Sequence, residues 1–285
     1  MSQNLADKAM LVKLSISKWS ARKHDKKVSK EVAQKYGTDQ ERGRYNKVLI
    51  AQEAIKKIGQ AESAARTFHY DQTLPWKDDG ARILPSANYL HYTQEIRRFK
   101  ADFEAQVRAF IANYPDLIED ARRELNGLFD PADYPDLWKI DKKFAFEVEV
   151  DPLPTAADFR VNLQGEEVNR IKGEIEDRLG RAQADAMKDL FNRLHDVVKH
   201  MAEKLADKSA IFRDTLVTNI QELVDLLPRL NLTGDPRLEE LRRDVADRLL
   251  GYGPEDLRKN QFARQETAQA ANDILAAMAG YTNAA

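Results

Sequence analysis

Two segments near the N-terminus, residues 18–27 and 42–47, interleave cations with aromatic rings. Cations of this kind contact phosphates, and exposed rings stack on unpaired bases. A solvated basic face is the alternative interpretation of the same residues. We predict a nucleic-acid-binding surface, whose members are Lys18, Trp19, Arg22, Lys23, Lys26, Lys27, Arg42, Arg44, Tyr45 and Lys47.

The charge of the chain is strongly polarised. Residues 1–60 contain fourteen basic and six acidic residues, a net charge of +8, although the whole chain carries only −2. The remaining residues therefore carry −10. Such polarity attracts polyanions, and it can also order copies of a protein head to tail. It favours nucleic acid as a partner and a homo-oligomer as the assembled state.

A second candidate site is the segment around Trp76. Residues 71–85 contain two prolines and a glycine, which predict an irregular loop. Large aromatic side chains on such a loop can anchor a partner, and charged neighbours can define the contact. The alternative is a loop that folds back on its own protein, with Trp76 filling a gap in the core. The predicted partner-binding loop consists of His69, Tyr70, Trp76, Asp78, Asp79 and Arg82.

The sequence lacks the signatures of catalysis and of metal binding. It has no cysteine, no Walker loop and no nucleophile elbow. None of its five histidines has the His-Glu-x-x-His spacing that puts two imidazoles on one helical face. Glu147 and Glu149 suggest a nuclease, but their alternation along a strand is better explained by a solvent face. We predict no catalytic residue, no metal and no cofactor, and hence a non-enzymatic protein.

The composition also bears on location. Hydrophobic residues make up 42% of the chain, yet no apolar run approaches the roughly 20 residues that span a bilayer. The absence of cysteine fits a reducing compartment. We expect a cytoplasmic protein of a bacterial or phage-infected cell, without a membrane partner.

Hydrophobic periodicity predicts a mainly α (α+β) fold, a long-helix bundle with a small three-stranded antiparallel sheet. The predicted strands are residues 10–20, 144–150 and 159–163. Helices are predicted at 26–36, with Asp25 as its cap and Gly37 at its end, and at 44–70. Two more helices are predicted. The first begins at Ser86 and carries an aromatic stripe, and the second runs from Pro115 to residue 126.

The C-terminal part is predicted to be almost entirely helical. One long helix covers residues 166–206, and shorter ones cover 209–227, 235–250 and 254–280. Pro228 ends the second of these four helices, and Asp235 caps the third. We divide the chain into an N-terminal α+β part (1–164), with the basic head and the Trp76 loop, and a C-terminal long-helix part (165–285), packed together as one unit.

Four stretches resemble an uncharacterised helical protein family of tailed phages and integrative elements. They are residues 14–23 (LSISKWSARK), 69–76 (HYDQTLPW), 157–161 (ADFRV) and 212–217 (FRDTLV). Members of this family are often encoded near recombination genes and a MoxR-type ATPase. The resemblance implies a role in DNA metabolism or host takeover, with a phage or host protein such as an ATPase as a partner. It brings no functional residues with it.

Three hypotheses follow from the sequence. The leading one is a non-enzymatic, oligomeric phage-type protein that associates with nucleic acid as an accessory of DNA metabolism. The second is a protein–protein interaction or host-takeover factor that does not bind nucleic acid. The third is a structural component of a shell, ring or virion.

Overall fold

A computed structural model describes residues 5–39, 42–76, 79–156, 165–207 and 210–282. The chain is 71% helical, which confirms the mainly helical fold. None of the helices in the described ranges has both the length and the apolarity needed to cross a membrane.

The described residues form ten α-helices and six strands. The helices are α1 (Leu5–Lys8), α2 (Lys26–Tyr36), α3 (Glu53–Asp71), α4 (Tyr89–Leu125), α5 (Leu137–Ile140), α6 (Gly165–Ala206), α7 (Thr215–Leu230), α8 (Pro236–Leu249), α9 (Pro254–Lys259) and α10 (Gln261–Thr282). The strands are β1 (Ala9–Ser17), β2 (Arg22–His24), β3 (Asn46–Val48), β4 (Leu74–Pro75), β5 (Ala81–Pro85) and β6 (Ala145–Pro152).

The expected three-stranded sheet is wrong. The main sheet has four strands in the order β4-β5-β1-β6, and β2 and β3 form a separate two-stranded sheet. Strands β4 and β5 form in the segment that was predicted to be an irregular loop. Its two prolines stand at strand ends, where they do not interrupt the pairing, and Gly80 takes a positive φ of 87° in the turn. The predicted partner strand at 159–163 lies outside the described residues.

Two prolines that were predicted to mark helix boundaries lie inside helices. Helix α4 continues through Pro115 and α7 continues through Pro228, so neither residue marks a helix boundary. A proline inside a helix costs about 3 kcal/mol. In α4 the flanking side chains of Phe110, Tyr114 and Ala121 are all buried, and this packing offsets the cost. The helix predicted at 44–70 is also shorter than expected, since its first residues form β3.

Local capping chemistry was predicted correctly. The Asp25 carboxylate accepts hydrogen bonds from the backbone N–H groups of Lys27 and Val28, both at 3.0 Å, and so caps α2. Gly37 ends that helix in the left-handed conformation, with φ of 63°. Asp235 likewise caps α8 by accepting from the N–H of Arg237 at 2.8 Å.

The chain divides into two compact units that interleave along the sequence. The first consists of Met1–Lys13, Tyr70–Tyr92 and Glu149–Ala285, and the second of Leu14–His69 and Thr93–Val148. Buried apolar side chains of α6, α7, α8 and α10 form the core of the first unit. In the second unit, aromatic side chains are buried together with aliphatic ones. The boundary predicted between residues 164 and 165 adjoins residues outside the described ranges, and the division at that point stays a prediction.

Candidate nucleic-acid interface

The predicted basic segments meet in a small ribbon of the second unit. Strands β2 and β3 pair antiparallel, with Arg22 opposite Val48, Lys23 opposite Lys47 and His24 opposite Asn46. Directly opposed residues of an antiparallel pair share one face of the ribbon. Lys23 and Lys47 therefore define an inner face, and the other two pairs define an outer face that is exposed to solvent.

The two lysines of the inner face share one carboxylate. The Nζ atoms of Lys23 and Lys47 each lie 2.5 Å from an oxygen of Asp133. Lys47 also lies 3.5 Å from Oδ2 of Asp25 and donates to the carbonyl oxygen of Leu128 at 2.7 Å. The side chains of Lys47 and Asp133 are each only 5% exposed, so this ion pair is part of the fold.

The pKa shifts of Asp133 and Lys47 agree with that geometry. Burial by itself would raise the pKa of Asp133, but hydrogen bonds and charge from Lys23 and Lys47 outweigh it and hold the pKa below the ordinary 3.8. Burial would lower the pKa of Lys47, but Asp133 and Asp25 outweigh it and hold the pKa above 10.5. Both groups therefore stay charged at neutral pH.

Tyrosine hydroxyls fix the segment that carries Asp133. Tyr134 donates to the carbonyl oxygen of Leu49 at 2.9 Å, and Tyr114 donates to that of Pro135 at 3.1 Å. Burial raises the pKa of each tyrosine to about 12. Residues just after β3 are thus joined to the stretch that follows α4, which holds the ribbon in one orientation.

Helix α2 connects the two strands of the ribbon and packs through small side chains. Ser29 and Ala33 are buried, and Oγ of Ser29 accepts from the N–H of Tyr45 at 3.0 Å while donating to the carbonyl oxygen of Asp25 at 2.6 Å. At 100° per residue, Lys26, Lys27 and Lys30 fall within an arc of roughly 100° on the exposed side. We call residues 22–48, comprising β2, α2 and β3, the basic module.

Six predicted members of the interface are exposed in the basic module. Within the described part of the chain, their side chains form no ion pair; they are Arg22, Lys26, Lys27, Arg42, Arg44 and Tyr45. Lys23 is half-exposed but held by Asp133, and Lys18, before the ribbon, pairs with Glu62 at 2.6 Å.

Two predicted members need correction. Trp19 is only 8% exposed, and its ring packs edge-on against Tyr114, with centroids 5.8 Å apart, and also against Phe110. A ring buried in this aromatic core cannot stack on a base. Lys47 is equally unsuited to phosphate contact, because the register of the ribbon turns its ammonium toward Asp133.

The prediction of a partner-binding loop around Trp76 also needs correction. Trp76 is half-buried and packs against the core of the first unit. Arg82 donates to Oγ1 of Thr73 at 2.7 Å and lies over the ring of Tyr70, with 4.7 Å to its centroid. The side chain of Asp79 accepts from the N–H of Ala81 within the turn. These contacts bind the loop to its own unit. His69 is buried in the second unit, and Asp78 lies outside the described residues.

The sequence interpretation missed two residues of the second unit. Asp133 could not be found, because its partners lie far away along the chain. Trp138 is 62% exposed on α5, and the ammonium groups of Lys139 and Lys142 lie 4.8 and 5.4 Å from its ring centroid. The alternation of cation and aromatic residue that drew attention to Trp19 occurs here too, and would have found Trp138.

Comparisons with known proteins identify no relative of this chain. No protein-family model, no curated protein and no solved structure matches the chain. Among the described residues, no group of three or more histidine, aspartate or glutamate side chains is placed to hold a metal ion. The resemblance to a phage family stays a prediction.

Proposed function

We propose that this chain is a non-enzymatic, oligomeric phage-type protein that associates with nucleic acid through the basic module, as an accessory of DNA metabolism. The observation that carries the proposal is the contrast between two groups of cations in the basic module. Lys23 and Lys47 share the carboxylate of Asp133. The exposed cations of β2, of α2 and of the segment before β3 form no ion pair among the described residues; they are Arg22, Lys26, Lys27, Arg42 and Arg44.

The charge balance of the module supports this assignment. Residues 22–48 contain nine basic and four acidic residues. One of the four acids, Asp25, is already engaged as the cap of α2 and as a partner of Lys47. The surface therefore keeps a positive potential, which is the main source of affinity for a phosphate backbone.

The first turn of α2 gives an independent argument. A helix N-terminus favours acidic side chains, since the partial positive charge of its free N–H groups attracts them. Helix α2 has no acid in its first turn and carries Lys26 and Lys27 there instead. Each lysine is unfavourable at that end by a few tenths of a kcal/mol to about 1 kcal/mol. The carboxylate of Asp25 already caps this end of the helix, and the two exposed lysines beside it leave the surface with excess positive charge.

Assembly is the second part of the proposal. In the first unit, a cleft of about 700 Å³ runs along α8 and α10, and most of its charged side chains are acidic: Glu239, Glu240, Asp244 and Asp247, with Arg243 as the exception. Glu239 and Asp244 are paired with arginines of α8, whereas Glu240 and Asp247 form no ion pair in the described part of the chain. The two unpaired acids can attract the basic module of another copy, which supports head-to-tail association. Light scattering should show an assembly that loses mass as salt is raised. A monomer at all concentrations would exclude this part.

The protein-interaction alternative has less support. It relied on Trp76 as an exposed anchor, and the side chain is instead half-buried against its own core. A phage or host protein, such as the ATPase implied by the resemblance, stays a proposed partner without a surface assigned to it.

The test of nucleic-acid binding uses a matched pair of charge reversals. Lys26→Glu with Lys27→Glu removes two exposed cations from the basic module, and Lys188→Glu with Lys199→Glu makes the same change of charge on exposed positions of α6 in the first unit. Fluorescence anisotropy of a labelled oligonucleotide at low salt should show weaker binding for the first pair only. Absence of binding by the natural protein at low salt would refute the proposal.

A further inference from the structure

Trp138 is an exposed aromatic residue on a short, anchored helix. Helix α5 is a single turn anchored by Ile140, which is fully buried, while Trp138 is 62% exposed and its neighbour Leu137 50%. Just before the helix, the carbonyl oxygen of Pro135 accepts a hydrogen bond from Tyr114, and Asp136 pairs with Lys139 at 2.9 Å. Ile140 and the hydrogen bond from Tyr114 fix the turn, and more than half of the Trp138 side chain stays exposed, with two ammonium groups over its ring.

Cations surround that ring. Lys139 and Lys142 lie close to the indole, and Lys143 follows directly. A ligand that suits this arrangement has flat aromatic faces and negative charge close together. Bases joined by phosphates supply both, and stacking on an aromatic side chain is tolerant of sequence.

The ring lies within reach of the basic module. Asp133, which contacts both inner lysines of the ribbon, precedes Trp138 by five residues. A chain extends at most about 3.6 Å per residue, so their Cα atoms are no more than about 18 Å apart. This bound brings the indole near Lys23, the half-exposed cation of the module that Asp133 contacts, and an extended strand of a few nucleotides can span that separation.

We infer that the ligand of the basic module is single-stranded DNA, and that Trp138 is the side chain on which one of its bases stacks. This inference rests on the function proposed above and adds the class of substrate. In duplex DNA the base faces are covered by neighbouring pairs, so an exposed ring contributes to affinity only when bases are unpaired.

The experiment compares two probes that carry the same number of phosphates, a labelled oligothymidylate and a labelled hairpin duplex. Trp138→Ala should weaken binding of the oligothymidylate about tenfold and leave duplex binding unchanged. Trp138→Phe, which keeps a ring, should retain most of the affinity. Leu137→Ala is the matched control, because it removes an exposed apolar side chain from the same turn without removing an aromatic face.

The outcomes separate the inference from the proposed function. If Lys26→Glu with Lys27→Glu weakens both probes but Trp138→Ala weakens neither, the base-stacking role is wrong and the proposed function stands. An equal loss on both probes, or an equal loss in Leu137→Ala, also overturns the inference. So does a fall in the mass of an assembly on Trp138→Ala, since the ring would then contact protein. If the natural protein binds neither probe, both proposals fail.

Discussion

The ammonium of Lys47 lies 2.5 Å from the carboxylate of Asp133, and both side chains are almost completely shielded from solvent. This pair joins the ribbon to the turn Pro131–Asp133 and decides which cations of the basic module point inward. The cations that remain outside are the ones available to a phosphate backbone. Structural and binding cations of the same short segment can therefore be separated by mutation.

The first prediction concerns Lys47 itself. Lys47→Met should lower the free energy of unfolding by about 3 kcal/mol, because it removes one partner of a buried pair and leaves Asp133 with Lys23 alone. Chemical denaturation measures the change. Lys26→Met, at an exposed position, is the control and should shift stability by less than about 0.5 kcal/mol. A Lys47→Met protein that keeps full stability but loses DNA binding would show that Lys47 contacts the ligand.

The second prediction concerns pH. The pKa of Asp133 in the folded protein is below its ordinary 3.8, so its contribution to stability is complete above that value and is lost as the pH falls through the folded pKa. The pKa of Lys47 is raised above 10.5, so its contribution is complete below that value and is lost as the pH rises through the folded pKa. Asp133→Asn should be less stable than the natural protein at neutral pH, and the difference should shrink below about pH 4. A difference that stays constant down to pH 2 would contradict the assignment.

The third prediction separates binding from stability in α2. Lys26→Glu should stabilise the protein by about 0.5 kcal/mol, because a carboxylate suits a helix N-terminus and would face Lys30 one turn further on. The same change should weaken binding of DNA. Thermal melting and anisotropy give the two readouts from one sample. A variant that loses both stability and binding would indicate that Lys26 supports the fold.

The fourth prediction concerns Trp76. Trp76→Ala should lower the free energy of unfolding by about 2 kcal/mol, since the half-buried ring packs against the core of the first unit. Leu90→Ala, which changes a strongly exposed apolar residue, should have almost no effect. If Trp76→Ala instead leaves the melting temperature unchanged and abolishes capture of a protein partner, the interaction hypothesis gains the evidence it lacks.

The parts of the fold that could be predicted are those set by local chemistry. Asp25, Gly37 and Asp235 delimit helices through hydrogen bonds and backbone preferences that act within a few residues. The long helix α6 follows from a sustained apolar repeat. These features need no knowledge of the rest of the chain.

The parts that were mispredicted depend on distant partners. Strand β5 exists because β1 pairs with it, and Pro115 stays within α4 because Tyr114 before it and Ala121 after it are both buried. Trp19 and Lys47 looked like ligand contacts because their buried partners, Tyr114 and Asp133, come from distant sequence. The outer cations of the basic module lie at exposed positions, and their contact with nucleic acid stays a prediction.

The most direct test of the central claim is the salt dependence of oligothymidylate binding. We expect the logarithm of the association constant of the natural protein to fall linearly with the logarithm of salt concentration. For Lys26→Glu with Lys27→Glu the slope should be smaller by at least about 1.4, which corresponds to two lost phosphate contacts on a single strand. Lys188→Glu with Lys199→Glu should keep the natural slope. No binding at low salt, or equal slopes for the natural protein and both variants, would contradict the account.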